Sequence, residues 1–287
     1  MKPSNINIYI NNKCNLHCIY CYRKANNQPY NSYFKNFCRC INFIEKTTIK
    51  NITITGGEPL LDPYIKDYFR EATKHNFSCS LLTNGTLIIS SELLNFLNTI
   101  TFSLDGNPEI MKKHRGILNC SNIINNIELC KKKGMHIKIN SVITKLNLYT
   151  IRRDLINFVK EHLLGYDDHL QIRINVVDSQ NRSLKLNQKE IKFLIHEIFL
   201  LREALHYRTI IHSNILSLKT ATEMVENNLF QYPIWCDLSN LSFYKIASSK
   251  HSFEYIYQHS EVLDQIIGKK ALLKNKKSYI NLSEGVV

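Results

Sequence analysis

Short β-rich segments alternate with helical segments over about the first 180 residues, and this alternation constrains the fold more than any other feature of the sequence. The predicted strands lie at residues 6–10, 51–55, 78–83, 100–104, 136–144 and 170–177. The predicted helices lie between them at residues 33–47, 63–75, 91–98, 122–133 and 150–163. Repeated strand–helix units indicate parallel strands joined by helical crossovers.

Six such units predict an α/β fold, a partial (β/α)6 barrel like an incomplete TIM barrel. Three of the predicted strands end in polar or glycine-bearing turns, Thr55-Gly56-Gly57, Thr83-Asn84-Gly85 and Leu104-Asp105-Gly106. In parallel barrels the chemistry collects at the carboxyl ends of the strands, where these turns fall. Residues 1–180 are therefore predicted to form the core barrel.

The pattern changes beyond residue 180, where glycine-rich turns are absent. Helices are predicted at residues 187–207, 213–230 and 260–274, with a β-hairpin at 241–256. Residues 181–287 are interpreted as a mainly helical C-terminal extension that packs on the barrel and recognises the substrate.

Three of the nine cysteines, Cys14, Cys18 and Cys21, lie within eight residues, directly after the first predicted strand. In a reducing compartment such clustering indicates metal ligation. Thiolates suit both iron–sulfur clusters and zinc. A structural zinc site needs a fourth ligand, either His17 or a distant residue, whereas three cysteines on a four-iron cluster leave one iron open to another ligand.

The segment Cys14-Asn15-Leu16-His17-Cys18-Ile19-Tyr20-Cys21 resembles the signature of the radical S-adenosylmethionine (SAM) superfamily. Thr55-Gly56-Gly57-Glu58-Pro59 resembles the Gly-Gly-Glu-Pro segment of that family. Ser103-Leu104-Asp105-Gly106 with Arg115, and the run from Asn140 to Asn147, are similar to segments of the peptide-modifying and sulfatase-maturing branch. The resemblance covers about residues 5–180.

The resemblance implies one 4Fe-4S cluster and SAM as cofactors. In such enzymes the reduced cluster cleaves SAM to a 5′-deoxyadenosyl radical, which abstracts hydrogen from a substrate. By carry-over, Cys14, Cys18 and Cys21 ligate the cluster and Tyr20 lies near the adenine, mainly through its backbone.

The resemblance also implies roles for residues on the strand ends. Gly56 supplies a tight turn and Gly57 lets the backbone approach SAM, while Glu58 accepts a hydrogen bond from the amino group of SAM. Candidates for the ribose or the carboxylate of SAM are Ser103, Asp105 and Asn140.

Six further cysteines lie outside the triad. Cys38, Cys40 and Cys79 are interpreted as core or idle thiols. Cys120, Cys130 and Cys236 are interpreted as structural, with Cys236 the first to test as a hydrogen donor to a substrate radical. Because Cys236 alone follows residue 130, the cysteine-rich auxiliary-cluster domain of many relatives is expected to be lacking.

The composition assigns no partner by itself. The formal charge of +13 comes from scattered lysine and arginine residues, which reflect either a solvated basic surface or a nucleic-acid-binding face. No apolar run approaches the roughly 18 residues that span a bilayer, and no secretion signal is evident. A cytoplasmic protein without membrane contact is expected.

The leading hypothesis is a radical SAM enzyme that cross-links, epimerises or oxidises a ribosomally made peptide or protein. An electron donor such as flavodoxin or ferredoxin would reduce its cluster. The alternatives are a glycyl-radical enzyme activase, an RNA-modifying enzyme and a non-catalytic iron–sulfur sensor. SAM binding separates the enzymes from the sensor, which has no use for the Gly56–Gly57 turn.

Overall fold

The computed structural model describes residues 5–21, 33–166, 169–177 and 181–205 with their side chains, and four further strands by their backbone. Six strands form the central sheet: β1 (Asn5–Tyr9), β2 (Asn51–Thr55), β3 (Ser78–Thr83), β4 (Thr99–Ser103), β5 (His136–Ile143) and β6 (Leu170–Val176). The four described by backbone alone are β7 (Thr209–Ile211), β8 (Ile234–Asp237), β9 (Ser242–Ile246) and β10 (Phe253–Tyr255).

Helices occupy the connections between the strands. They are α1 (Phe34–Ile44), α2 (Ile65–Lys74), α3 (Ser91–Leu94), α4 (Pro108–Arg115), α5 (Ser121–Lys132), α6 (Ile151–His162) and α7 (Gln188–Ala204). The sequence did not predict α4, although Asn107 caps its start with a hydrogen bond to Ile110, Pro108 opens it and Gly116 ends it in the left-handed conformation. Asn, Pro and Gly at those positions are the expected helix signals.

Strands β1 to β6 pair in sequence order and are all parallel. Because strand–helix–strand connections are right-handed, an unbroken order of this kind places every crossover helix on the same side of the sheet. β1 and β6 lie five strands apart, so the barrel is open. The predicted α/β fold is confirmed, with each of the six strands found within one residue of its predicted bounds.

Additional strands extend both ends of this sheet. β7 continues it beyond β6, and β8 pairs in parallel with β1, placing Cys236 opposite Ile8. β9 and β10 form an antiparallel pair inside the predicted hairpin at 241–256. The predicted helices at 213–230 and 260–274 lie outside the described residues, and the domain boundary at residue 180 stays a prediction.

The two faces of the sheet differ sharply in chemistry. The side chains beneath the helices are apolar and nearly all fully buried, for example Ile52, Leu81 and Ile139, and each such burial contributes about 1.5–3 kcal/mol. The opposite face, here called the inner face, carries the alternate residues, which are predominantly polar. Its members on β1 to β6 are Asn5, Asn7, Tyr9, Asn51, Thr53, Thr55, Ser78, Ser80, Leu82, Thr99, Thr101, Ser103, His136, Lys138, Asn140, Val142, Gln171, Arg173 and Asn175.

Candidate active site

The three predicted cluster ligands lie on one loop at the carboxyl end of β1. This segment, residues 10–21, is here called the cysteine loop. Cys14, Cys18 and Cys21 are each half-buried. The Cys21 N–H donates to the Cys18 carbonyl at 3.0 Å, and the Leu16 N–H lies 3.5 Å from the Cys14 sulfur. Backbone donors to sulfur of this kind stabilise thiolate charge.

The first half of the loop is held by the backbone of the turn after β2. The Gly57 N–H donates to the Asn11 carbonyl at 2.9 Å, and the Glu58 N–H donates to the Lys13 carbonyl at 2.8 Å. A β-carbon added at Gly57 would lie 2.1 Å from the Lys13 oxygen, and one at Gly56 would lie 2.6 Å from the Asn11 oxygen. Only glycine fits at both positions, because the loop backbone occupies the space of a side chain.

Glu58 is fully buried and its carboxylate is engaged with neighbouring groups. Oε1 accepts hydrogen bonds from the Thr83 hydroxyl at 2.8 Å and the Leu60 N–H at 3.0 Å, and Oε2 accepts one from the Asn84 N–H at 2.8 Å. Burial raises the pKa of Glu58, against the lowering effect of these hydrogen bonds. Its predicted hydrogen bond with the SAM amino group stays a prediction, and such a contact would add to these bonds or replace one.

The turn after β3 contacts the cysteine loop through amide side chains. The Asn84 amide donates to Asn15 Oδ1 at 2.9 Å and lies 4.0 Å from the Cys14 sulfur. Asn15 in turn donates to the Thr86 hydroxyl at 2.9 Å. The sequence drew attention to the Asn84-Gly85 turn but gave no sign that it meets this loop.

A buried ionic network lies at the ends of β4 and β5. The Arg115 guanidinium donates two hydrogen bonds to the Asp105 carboxylate, at 2.8 and 2.9 Å, and the Val142 N–H donates a third at 2.9 Å. The Asp105 carbonyl accepts from the Asn147 amide at 2.7 Å. Although burial opposes ionisation, the Arg115 charge and the hydrogen bonds from His114, Arg115 and Tyr20 hold the pKa of Asp105 well below its usual range.

This network reaches the cysteine loop through Tyr20. The Tyr20 hydroxyl donates to Asp105, its ring lies 5.5 Å from the Arg115 guanidinium, and it meets the His114 ring edge-on. His114 is fully buried, with Nδ1 3.2 Å from Asp105 and Nε2 2.9 Å from the Thr144 hydroxyl. The Ile19 N–H also donates to the His114 carbonyl at 2.9 Å. The second half of the loop is thus attached to α4 and β4.

The chemistry of the donor set fits a 4Fe-4S cluster. Burial raises the pKa of Cys14, and it raises that of Cys18 to about 11 despite the nearby Arg115 charge. Metal coordination deprotonates such thiols outright. Within the described part of the chain, no three His, Cys, Asp or Glu side chains converge on one metal ion. Cys14, Cys18 and Cys21 would hold an iron–sulfur cluster through their thiolates, the ligands that such clusters use.

The remaining predicted site residues lie on the inner face or in the extension. Ser103 and Asn140 face each other across β4 and β5, and Asn140 accepts a hydrogen bond from the Asn175 amide at 2.6 Å. Asp105 is more deeply buried than Ser103 or Asn140, and both its carboxylate oxygens accept hydrogen bonds. A contact between Asp105 and SAM would therefore have to displace an existing partner. Cys236 lies on β8, and its role as a hydrogen donor stays a prediction.

Comparison with protein families identifies the chain. The model of the radical SAM superfamily matches residues 8–158, more than half of the sequence and all the strand ends described above except that of β6. The chain belongs to the radical SAM superfamily. This superfamily uses a 4Fe-4S cluster and SAM, the two cofactors that the sequence implied.

Curated relatives of this radical SAM protein carry out several different reactions. It is 30% identical over 166 residues to a probable GTP 3′,8-cyclase of Methanocaldococcus jannaschii, an alignment covering 54% of this chain and 55% of the relative. It is 26% identical over 183 residues to the radical SAM cyclopropyl synthase TigE of Paramaledivibacter caminithermalis, covering 55% and 39%. These alignments span about half the length of the two relatives or less.

Solved structures of similar fold include two proteins with a bound peptide. SuiB of Streptococcus suis bound to the precursor peptide SuiA superposes with a TM-score of 0.66 and 15% identity, covering 93% of this chain and 65% of SuiB. The protein anSMEcpe, with bound SAM and the Cp18Cys peptide, also gives 0.66, at 18% identity and 88% and 76% coverage. At these identities the likeness establishes the fold, an incomplete TIM-like barrel. Among the helices that the structure describes, none combines the length and apolar character of a membrane span.

Proposed function

We propose that this radical SAM protein is an enzyme that modifies a ribosomally made peptide or protein by hydrogen abstraction. When bound, the cluster and SAM supply the radical chemistry. The chain's own residues hold the three thiols in place through the Gly56–Gly57 turn and the Asp105 network. The inner face of the sheet would then receive the substrate.

The observation that carries the peptide assignment is the contact around Asp105. Two separate runs of the sequence resemble the peptide-modifying branch, the one from Ser103 to Arg115 and the one from Asn140 to Asn147. In the structure they form one unit, because Asp105 pairs with Arg115, Val142 and Asn147. The resemblance therefore rests on a connected set of residues and not on isolated turns. The peptide complexes of the similar folds support the same assignment.

A nucleotide substrate is the second candidate, favoured by the 30% identity to a GTP 3′,8-cyclase and by a 25% identity to a SAM-dependent nucleotide dehydratase of Flammeovirga pacifica. The two alignments cover 54% and 67% of this chain.

The test is a turnover assay with anaerobically purified, reconstituted enzyme, dithionite and SAM. We expect 5′-deoxyadenosine to form and a small peptide encoded beside the gene to change mass. The Cys14→Ala/Cys18→Ala/Cys21→Ala variant should do neither. Turnover of GTP with every neighbouring peptide left unchanged would reject the peptide assignment, and absence of SAM binding would leave the sensor alternative.

A further inference from the structure

The inner face holds two cationic side chains that the cofactor site does not use. Lys138 on β5 and Arg173 on β6 alternate with the buried residues Ile137, Ile139 and Ile172 and so face away from the helices. Arg173 lies opposite Asn140 in the strand register, and Lys138 lies two residues before Asn140. From strand spacing and rise, the two side chains start roughly 8 Å apart, within mutual reach.

No negative charge compensates them in the part of the chain that the structure describes. Neither Lys138 nor Arg173 makes a hydrogen bond or ion pair with a described residue, and the inner-face positions of β1 to β6 contain no Asp or Glu. Burial lowers the pKa of both groups, and the charge of Arg173 lowers that of Lys138 further. Lys138 and Arg173 therefore repel each other as like charges on a partly desolvated part of the inner face.

Two half-buried cations without a counter-charge destabilise a protein unless an anion joins them. Arg173 presents a planar fork that matches a carboxylate, and Lys138 adds a second point charge. The surrounding inner-face groups Asn140, Gln171 and Asn175 are amides, which complement peptide groups. We propose that Lys138 and Arg173 bind a carboxylate of the substrate on the inner face, an assignment that rests on the proposed peptide substrate.

The pair lies beside the predicted SAM site, on the side away from the cysteine loop. The cysteine loop and the Gly56–Gly57 turn are at the ends of β1 and β2. The candidates for the ribose or the carboxylate of SAM, Ser103, Asp105 and Asn140, are at the end of β4 and on β5. Three strand spacings separate β2 from β5, roughly 14 Å along the sheet. Arg173 shares its row with Ser103 and Asn140, which places the site beside the cofactor end of the inner face.

Kinetics with the peptide identified in the turnover assay tests the site. Lys138→Met and Arg173→Met should each raise KM for the peptide by about 10- to 100-fold, with a smaller effect on kcat. Lys132→Met, on the exposed side of α5, removes the same charge as a matched control and should leave KM unchanged. A peptide whose carboxylates are replaced by amides should reproduce the loss in the wild type and add none in the variants. Equal turnover of both peptides by the wild type would overturn the proposal.

SAM affinity and thermal stability distinguish a substrate site from a cofactor site and from a purely structural pair. The variants should bind SAM as the wild type does, and loss of SAM binding would assign the pair to the cofactor. Removing one of two repelling cations should leave Tm unchanged or higher in the absence of substrate. A fall of several degrees in both variants, with the Lys132→Met control unaffected, would make the pair structural and overturn the proposal.

The site can also be tested if no peptide is turned over. Sodium glutarate at about 100 mM should raise the Tm of the wild type by about 2–4 °C relative to sodium chloride of equal ionic strength, and should not raise that of Lys138→Met. An equal response of both proteins would reject the anion site. A larger response to inorganic phosphate than to glutarate would reject the carboxylate assignment and favour a nucleotide. These outcomes judge the site independently of the proposed function.

Discussion

The two ends of the cysteine loop are attached to the barrel in different ways. At the first end, the loop is held by backbone hydrogen bonds to the turn of Gly56 and Gly57, in a space that excludes any side chain. At the second end, Tyr20 contacts a buried ionic network around Asp105. The first attachment depends on shape and the second on charge.

The two attachments should respond differently to substitution. At the glycine end a single added β-carbon overlaps the loop backbone, so the loop has to move. An ionic network loses energy in steps, because each hydrogen bond contributes separately. Substitutions at the two ends should therefore produce different kinds of defect, loss of cofactor chemistry at the first and loss of stability at the second.

The largest effect is expected at the glycine end. In Gly57→Ala the β-carbon would lie 2.1 Å from the Lys13 oxygen, and ordinary contact begins at 3.4 Å, so the carbonyl would have to move by more than 1 Å. A misplacement of about 1 Å can cost about 100-fold in rate. Formation of 5′-deoxyadenosine and iron content should therefore both collapse. Gly165→Ala is the control. Its β-carbon would meet nothing within 4 Å, so it should lower stability by about 1–2 kcal/mol through left-handed backbone strain and leave iron loading unchanged. Normal iron loading of Gly57→Ala would contradict the steric account.

The next effect is expected at the charged end. Asp105→Asn leaves the buried Arg115 guanidinium without its counter-charge, which should cost about 3–5 kcal/mol in the free energy of unfolding measured with urea. Because the pKa of Asp105 is held low, the carboxylate is ionised at both about pH 6 and about pH 8, and the loss should be the same at each. Asp67→Asn, which breaks the exposed pair with Arg70, should cost less than about 1 kcal/mol.

A smaller effect should follow from cutting the link between the loop and the network. Tyr20→Phe keeps the ring against His114 and Arg115 but removes the hydroxyl that donates to Asp105. The expected cost is about 1.5–3 kcal/mol in the free energy of unfolding, with the cluster still loaded. If iron content fell as far as in Gly57→Ala, the two ends of the loop would act as a single attachment.

The smallest effect is expected at the amide contacts of β3. Asn15→Ala removes hydrogen bonds to Asn84 and Thr86 from an exposed side chain. We expect a loss of about 0.5–1.5 kcal/mol by urea unfolding and unchanged cluster absorbance. A loss as large as that of Asp105→Asn would show that this contact, and not the ionic network, is the main side-chain attachment of the loop.

Six parallel core strands, the loop that carries the three thiols and the resemblance to the superfamily could all be predicted from the sequence. These features are local: alternation of polar and apolar residues, turn glycines and cysteine spacing are all read within a few residues. The helix Pro108–Arg115 was not predicted, because eight residues between a strand and a second helix show little helical periodicity.

The contacts of the polar strand ends could not be predicted, because they join residues that are far apart in the sequence. The Glu58 carboxylate accepts hydrogen bonds from Thr83 and Asn84 at the end of β3. The Asp105 carboxylate accepts hydrogen bonds from Arg115 on α4 and Val142 on β5. The proximity of Lys138 and Arg173, which are diagonal neighbours on β5 and β6, depends on the register of the two strands. Register and crossover geometry bring together residues tens of positions apart, and a pattern of single residues carries no record of those distances.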